Sequence, residues 1–123
     1  MKYILALLAT VSLSGLAAAQ HVHGAKGPNG GQMEDVAGVH AELVTAGNTI
    51  TINVFDEGNK PVASKGFSAS ALVSRGPERE TVALVPAGEA MLTGEAKKPV
   101  AGAAITVTLK TAAGKSGQAR FKP

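Results

Sequence analysis

From residue 48 onward the chain alternates apolar and polar positions. Ile50, Ile52 and Val54 fall on one side of an extended segment while Thr51 and Asn53 fall on the other, the period of a half-buried strand. The same period returns in Ile105, Val107 and Leu109 against Thr106, Thr108 and Lys110, and in Phe67, Ala69, Ala71 and Val73 against Ser68 and Ser70. Further strands are predicted over 40–45, 79–85, 91–93 and 118–122, which makes about seven. Turn signals separate them: Ala46-Gly47-Asn48, Asp56-Glu57-Gly58-Asn59, Arg75-Gly76-Pro77-Glu78, Pro86-Ala87-Gly88 and Ala112-Ala113-Gly114-Lys115. Gly and Asn accept positive φ at such points and Pro presets the turn. No segment beyond the first 20 residues carries a long apolar stripe at helical spacing. The pattern predicts an all-β fold over 32–123, an immunoglobulin-like antiparallel β-sandwich, with a partly closed barrel as the alternative. Phe55, Phe67 and Phe121 are the largest apolar side chains of that region and are expected to pack in the core with Ile52, Leu84, Ile105 and Val107.

The beginning of the chain breaks this pattern. Met1-Lys2 precedes an apolar run over 3–13 and then Ala17-Ala18-Ala19, the order of a charged leader segment, a short hydrophobic segment and an A-x-A cleavage site. Ser12, Ser14 and Gly15 dilute the apolar run below the ~20 residues that span a bilayer. Residues 1–19 are therefore read as a signal peptide, and the product as an exported, periplasmic protein without stable membrane insertion. Residues 20–31 are rich in Gly, with Pro, Asn and Lys and little to bury, so a flexible arm is expected there. The processed arm would start at Gln20 and carry His21 and His23 close to a free amine.

Composition narrows the chemistry. Cysteine is absent, so disulfides, thiolate zinc sites and cysteine nucleophiles are excluded. A leader of 19 out of 123 residues leaves 104, enough for one small domain. The chain holds 12 basic and 9 acidic residues, and loss of Lys2 lowers the net charge from +3 to +2. The charges are interspersed, and beyond the leader the only aromatic rings besides histidine are the three phenylalanines. Nucleic-acid binding needs a basic stripe with stacking aromatics, so that class is set aside, and an anionic-membrane surface with it. Sugar binding is disfavoured for want of exposed rings.

His21 and His23 are the leading candidate metal ligands. Two residues apart in an extended arm, both imidazoles can reach one ion together with the terminal amine, a donor set for Cu(II), Ni(II) or Zn(II). Cleavage one residue earlier would make His21 the third residue, with amine, amide and imidazole nitrogens in one plane. The plain alternative is that both rings are merely solvated. His40 is the third candidate, with Glu42 two positions on and on the same strand face to orient the ring; a surface ion pair is the competing reading. Glu34, Asp35 and Met33 are further possible donors, although Met33 and Met91 also suit simple packing. Catalysis finds no support, since His40 is the only histidine in the folded body and no G-x-S-x-G, P-loop or H-E-x-x-H element occurs. Asp56-Glu57-Gly58-Asn59 lacks the ligand alternation of a calcium loop and reads as a hairpin turn.

His23-Gly24, Pro28-Asn29-Gly30-Gly31, His40-Ala41-Glu42-Leu43-Val44, Asp56 with Gly58, Lys60-Pro61-Val62, Leu92-Thr93-Gly94 and the stretch from Gly114-Lys115 to Ala119-Arg120-Phe121 carry a resemblance. The chain resembles small periplasmic proteins of proteobacteria and the similar β-sandwich domain near the N-terminus of heavy-metal efflux membrane-fusion adaptors. The resemblance implies an accessory of copper, zinc, nickel or cobalt homeostasis, with His23 and His40 carried over as ligands and a metal-efflux complex or other envelope protein as partner. The adaptors' helical hairpin and lipoyl-like halves are missing, which leaves a stand-alone, non-enzymatic binder or delivery protein. The rival reading is an immunoglobulin-like interaction module of the cell envelope with no metal role.

Overall fold

The computed structural model describes residues 23–123, and among them every regular element is a strand. Nine strands follow in chain order: β1 (His23–Lys26), β2 (Gln32–Val36), β3 (Val39–Ala46), β4 (Thr49–Phe55), β5 (Ser68–Arg75), β6 (Glu78–Ala87), β7 (Met91–Glu95), β8 (Ala104–Lys110) and β9 (Ser116–Phe121). All pairings are antiparallel, in the order β1-β2-β3-β4-β7-β6-β5-β8-β9, and the sheet curls on itself as a half-barrel. The seven strands legible in the sequence are present. The two additional ones, β1 and β2, precede them.

Curvature is concentrated in β6. Its first part, Glu78 to Leu84, pairs with β5, and its last residues, Val85 to Ala87, pair with β7. One strand thus belongs to both halves of the sheet. Gly94 in β7 sits where this crossing is tightest. A Cβ there would run into the carbonyl oxygen of Ala83 and come within 2.9 Å of Leu84 Cδ2. Glycine permits that close approach of two strands.

The alternation seen in the sequence becomes the inner lining of the curl. Ile50, Ile52 and Val54 of β4, Ala71 and Val73 of β5, Val82 and Leu84 of β6, and Ile105, Val107 and Leu109 of β8 all enter one apolar core. Leu92, Phe67 and Phe121 join them, and Phe121 is completely buried. On the closing side β2 faces β9. Val36 reaches the same core, Lys122 N donates to Gln32 Oε1 at 3.2 Å, and a Cβ on Gly117 would lie 3.0 Å from the backbone nitrogen of Ala37.

Phe55 departs from expectation. It is buried, yet it lies outside the core cluster that holds Phe67 and Phe121. The register explains why: Phe55 shares the strand parity of Thr51 and Asn53, not that of Ile52 and Val54, and so stands on the outer face opposite His40.

Burial of Phe121 at the end of β9 makes it the best single test of this packing. Phe121→Ala should lower unfolding free energy by about 3 to 5 kcal/mol. Urea denaturation followed by far-ultraviolet circular dichroism measures it, and a loss below about 1 kcal/mol would place Phe121 outside the core.

Candidate functional site

Antiparallel register sets the outer face of β2, β3 and β4 in rows. Asp35, His40 and Phe55 form one row, and Met33, Glu42 and Asn53 form the next. His40 projects across to β2, where its Nε2 lies 3.1 Å from Asp35 Oδ1. The ring is 12% exposed, and its Nδ1 is buried with no hydrogen-bond partner among the described residues. A carboxylate close to one imidazole nitrogen, with the other nitrogen unpartnered, is a placement from which a ring can be offered to a metal.

The carboxylate beside His40 is therefore Asp35, not the expected Glu42. Glu42 does share the face, but it is fully buried and turned toward another task. Its Oε2 accepts from the backbone nitrogens of Asn29 at 2.7 Å and Gly31 at 3.0 Å, and its Oε1 accepts from Asn29 Nδ2 at 2.8 Å and Asn53 Nδ2 at 3.4 Å. The turn over 27–31 closes on itself as well, with Gly27 N donating to Gly31 O at 2.7 Å and Gly30 N to Gly27 O at 3.0 Å. It lies so near the glutamate that a Cβ on Gly27 would sit 2.5 Å from the Glu42 carboxyl carbon. A Cβ on Gly31 would meet the carbonyl oxygen of Leu43. Glycine at both positions is what lets the turn settle onto the carboxylate.

This clasp revises the expected arm. Residues 23–31 form β1 and the turn into β2, instead of hanging free. Apolar burial is indeed scarce there, but hydrogen bonds to a charged acceptor contribute about 1.5 to 3 kcal/mol each and offset the ordering entropy in its place. Asn29, and the clasping role of Glu42, are what sequence reasoning missed. Their signal was present in an acidic residue set between Ala41 and Leu43, and in a Pro-Asn-Gly-Gly turn ahead of a strand.

The predicted ligands separate into three cases. His21 lies outside the described residues. His23 begins β1 opposite Glu34 of β2, with a bulge between His23 and Ala25, and Asp35 next along β2 pairs with His40. The backbone at His23 is thus two strands from His40, roughly 10 Å at ordinary strand spacing. Neighbourhood in the sheet replaces a separation of 17 positions in sequence. Among the described residues no three His, Asp or Glu side chains converge as a complete ligand set.

No protein-family model, curated protein or solved structure matches the chain. The site is accordingly argued from its own geometry. Other features of the surface have evident structural roles. Asp56 Oδ1 accepts from Gly58 N at 2.9 Å and Lys60 N at 3.0 Å, which makes this segment the turn expected of it. Arg75 donates to the carbonyls of Pro99 and Lys98, both at 3.1 Å, and so ties the loop before β8 to the β5–β6 hairpin. A cleft of about 680 Å³ lined by Pro61, Lys65, Pro86 and Glu89 among others contains no histidine.

Removing the clasp should loosen the turn selectively. Glu42→Ala leaves the Asn29 and Gly31 amides without their acceptor and should cost about 3 kcal/mol, with Glu42→Gln intermediate. Hydrogen exchange should show residues 25–31 losing protection in both variants while β8 keeps its own. Unchanged protection of that segment would mean that the carboxylate is not what holds it.

Proposed function

We propose that this protein is an exported, periplasmic, non-enzymatic domain that binds a transition metal, copper, zinc, nickel or cobalt, as an accessory of metal homeostasis or efflux. In this reading residues 1–19 are the cleaved leader, the curled sheet is an immunoglobulin-like scaffold, and His21, His23 and His40 are the imidazole ligands. The observation that carries it is the state of His40. A half-buried carboxylate lies 3.1 Å from one ring nitrogen, and the other nitrogen is buried with no hydrogen-bond partner among the described residues. Leaving such a buried polar atom unsatisfied costs about 1 to 3 kcal/mol, a cost that metal ligation would remove. The partner in this reading is a metal-efflux complex or another envelope protein that receives the ion.

A second reading has its own observation. Among the described residues β1 stands at the end of the strand order, so an envelope protein could add a strand there with no metal involved. Chelator separates the two, because only the metal-dependent partner would be released by it.

Calorimetric titration of the exported product with Cu(II), Ni(II) and Zn(II) tests the leading proposal. At least one ion should bind, and both a His21→Ala/His23→Ala form and a His40→Ala form should bind it about 10-fold or more weakly. Heats indistinguishable between parent and variants for all three ions would reject the proposal.

A further inference from the structure

Asn29-Gly30 is the only Asn-Gly pair in the chain, since Asn48, Asn53 and Asn59 precede Thr, Val and Lys. Glycine has no Cβ, so its amide nitrogen can reach the carbonyl carbon of the preceding side chain without obstruction. This is the dipeptide in which an asparagine reacts most readily with its own backbone. Here it lies in the turn from β1 to β2, with Asn29 exposed and nothing within 4 Å of where a Gly30 Cβ would stand, so water has access. The same asparagine closes the clasp. Its Nδ2 donates to Glu42 Oε1 at 2.8 Å and its backbone nitrogen to Glu42 Oε2 at 2.7 Å, while Gly30 N donates to Gly27 O at 3.0 Å. The closed turn therefore holds both the nitrogen that would attack and the nitrogen that would leave.

We propose that Asn29 is a self-modification site, at which cyclisation onto Gly30 followed by hydrolysis turns the amide that closes the clasp into a carboxylate that keeps it open. The Gly30 nitrogen releases its proton and bonds to Asn29 Cγ. The Cγ–Nδ2 bond breaks, and Nδ2 leaves as ammonia with a proton in place of the one released. One water then opens the five-membered imide, at Cγ to give an aspartate or at the residue 29 backbone carbonyl to give an isoaspartate. Nothing is oxidised or reduced, and water is the one co-reactant. In the aspartate an oxygen stands where Nδ2 donated to Glu42, and two carboxylates at that distance cannot both stay ionised. Glu42 is fully buried, so solvent does not screen the pair while the turn is closed. The isoaspartate also adds a backbone atom to a loop whose ends are joined by the bond from Gly27 N to Gly31 O at 2.7 Å. The clasp thus guards the very amide whose loss disables it. Reaction proceeds from the open turn, and the product does not close again. Release moves Gly27 and Pro28, which wall a cleft of about 330 Å³ together with the buried Met33. No bound ion is needed, so this inference stands apart from the metal reading.

Peptide mass spectrometry with isoaspartate quantification tests it on the full processed chain, incubated in mildly alkaline buffer. Asn29 should convert while Asn48, Asn53 and Asn59 keep their amides. Glu42→Gln weakens the clasp and should speed conversion about 10-fold or more. Unfolding the parent in urea should speed it as well, a measurement that serves if the variant does not fold. Asn29→Asp should remove hydrogen-exchange protection from residues 25–31 while β8 keeps its own. An Asn29 amide as durable as the other three overturns the modification site. Conversion no faster in Glu42→Gln or in urea overturns the guarding by the clasp, and parent-like protection of residues 25–31 in Asn29→Asp overturns the release.

Discussion

A sheet with one apolar face and no helix to lay against it must cover that face with itself. This constraint organises the described residues. Alternate positions of β4, β5, β6 and β8 are apolar, and their side chains can leave water together only if the sheet bends until its two ends face each other. The bend falls in β6, which changes partner between Leu84 and Val85, and Gly94 supplies the close strand contact that the bend requires. β2 over β9 then shuts the open side.

Turning the apolar face inward leaves the other face for polar groups, and there the molecule behaves unusually. Burial is ordinarily the property of the inner face, yet Met33, Glu42 and Phe55 are buried on the outer one and His40 nearly so. The turn over 27–31 lies across Glu42 at one end of this region and makes an interior of what would otherwise be surface. A buried imidazole nitrogen, a thioether and two carboxylates in different surroundings are the result. Asp35 faces the imidazole and Glu42 holds the cover, so the two acidic residues divide orientation from closure.

Strand periodicity made the body of the fold legible, because β4 and β8 alternate so regularly that a one-residue slip would turn every Ile and Val outward. Phe55 shows how the same evidence can be misread. Hydrophobicity alone assigns it to the core, whereas its odd place in the row after Asn53 assigns it to the outer face. β1 and β2 were not legible as strands, since four and five residues rich in small and polar types carry too little periodicity to stand out. What orders them is a tertiary hydrogen-bond acceptor 11 to 13 residues away, which no local pattern reveals. Of the candidate site, His40 was legible as a candidate, while the carboxylate that stands beside it was not. Same-strand spacing pointed to Glu42, but cross-strand register brought Asp35 within reach.

Because β6 lends its hydrogen bonds to both halves of the sheet, neither half has a boundary along which it could come apart alone, and the body should open as one cooperative unit. The segment of β1 and the turn over 27–31 is different: it adjoins that unit through the β1–β2 ladder and the hydrogen bonds to Glu42. A single small domain thus contains two levels of protection, a global one and a cheaper sub-global one. Transient detachment of β1 and this turn gives solvent a route to the covered outer face while the barrel-like body stays folded.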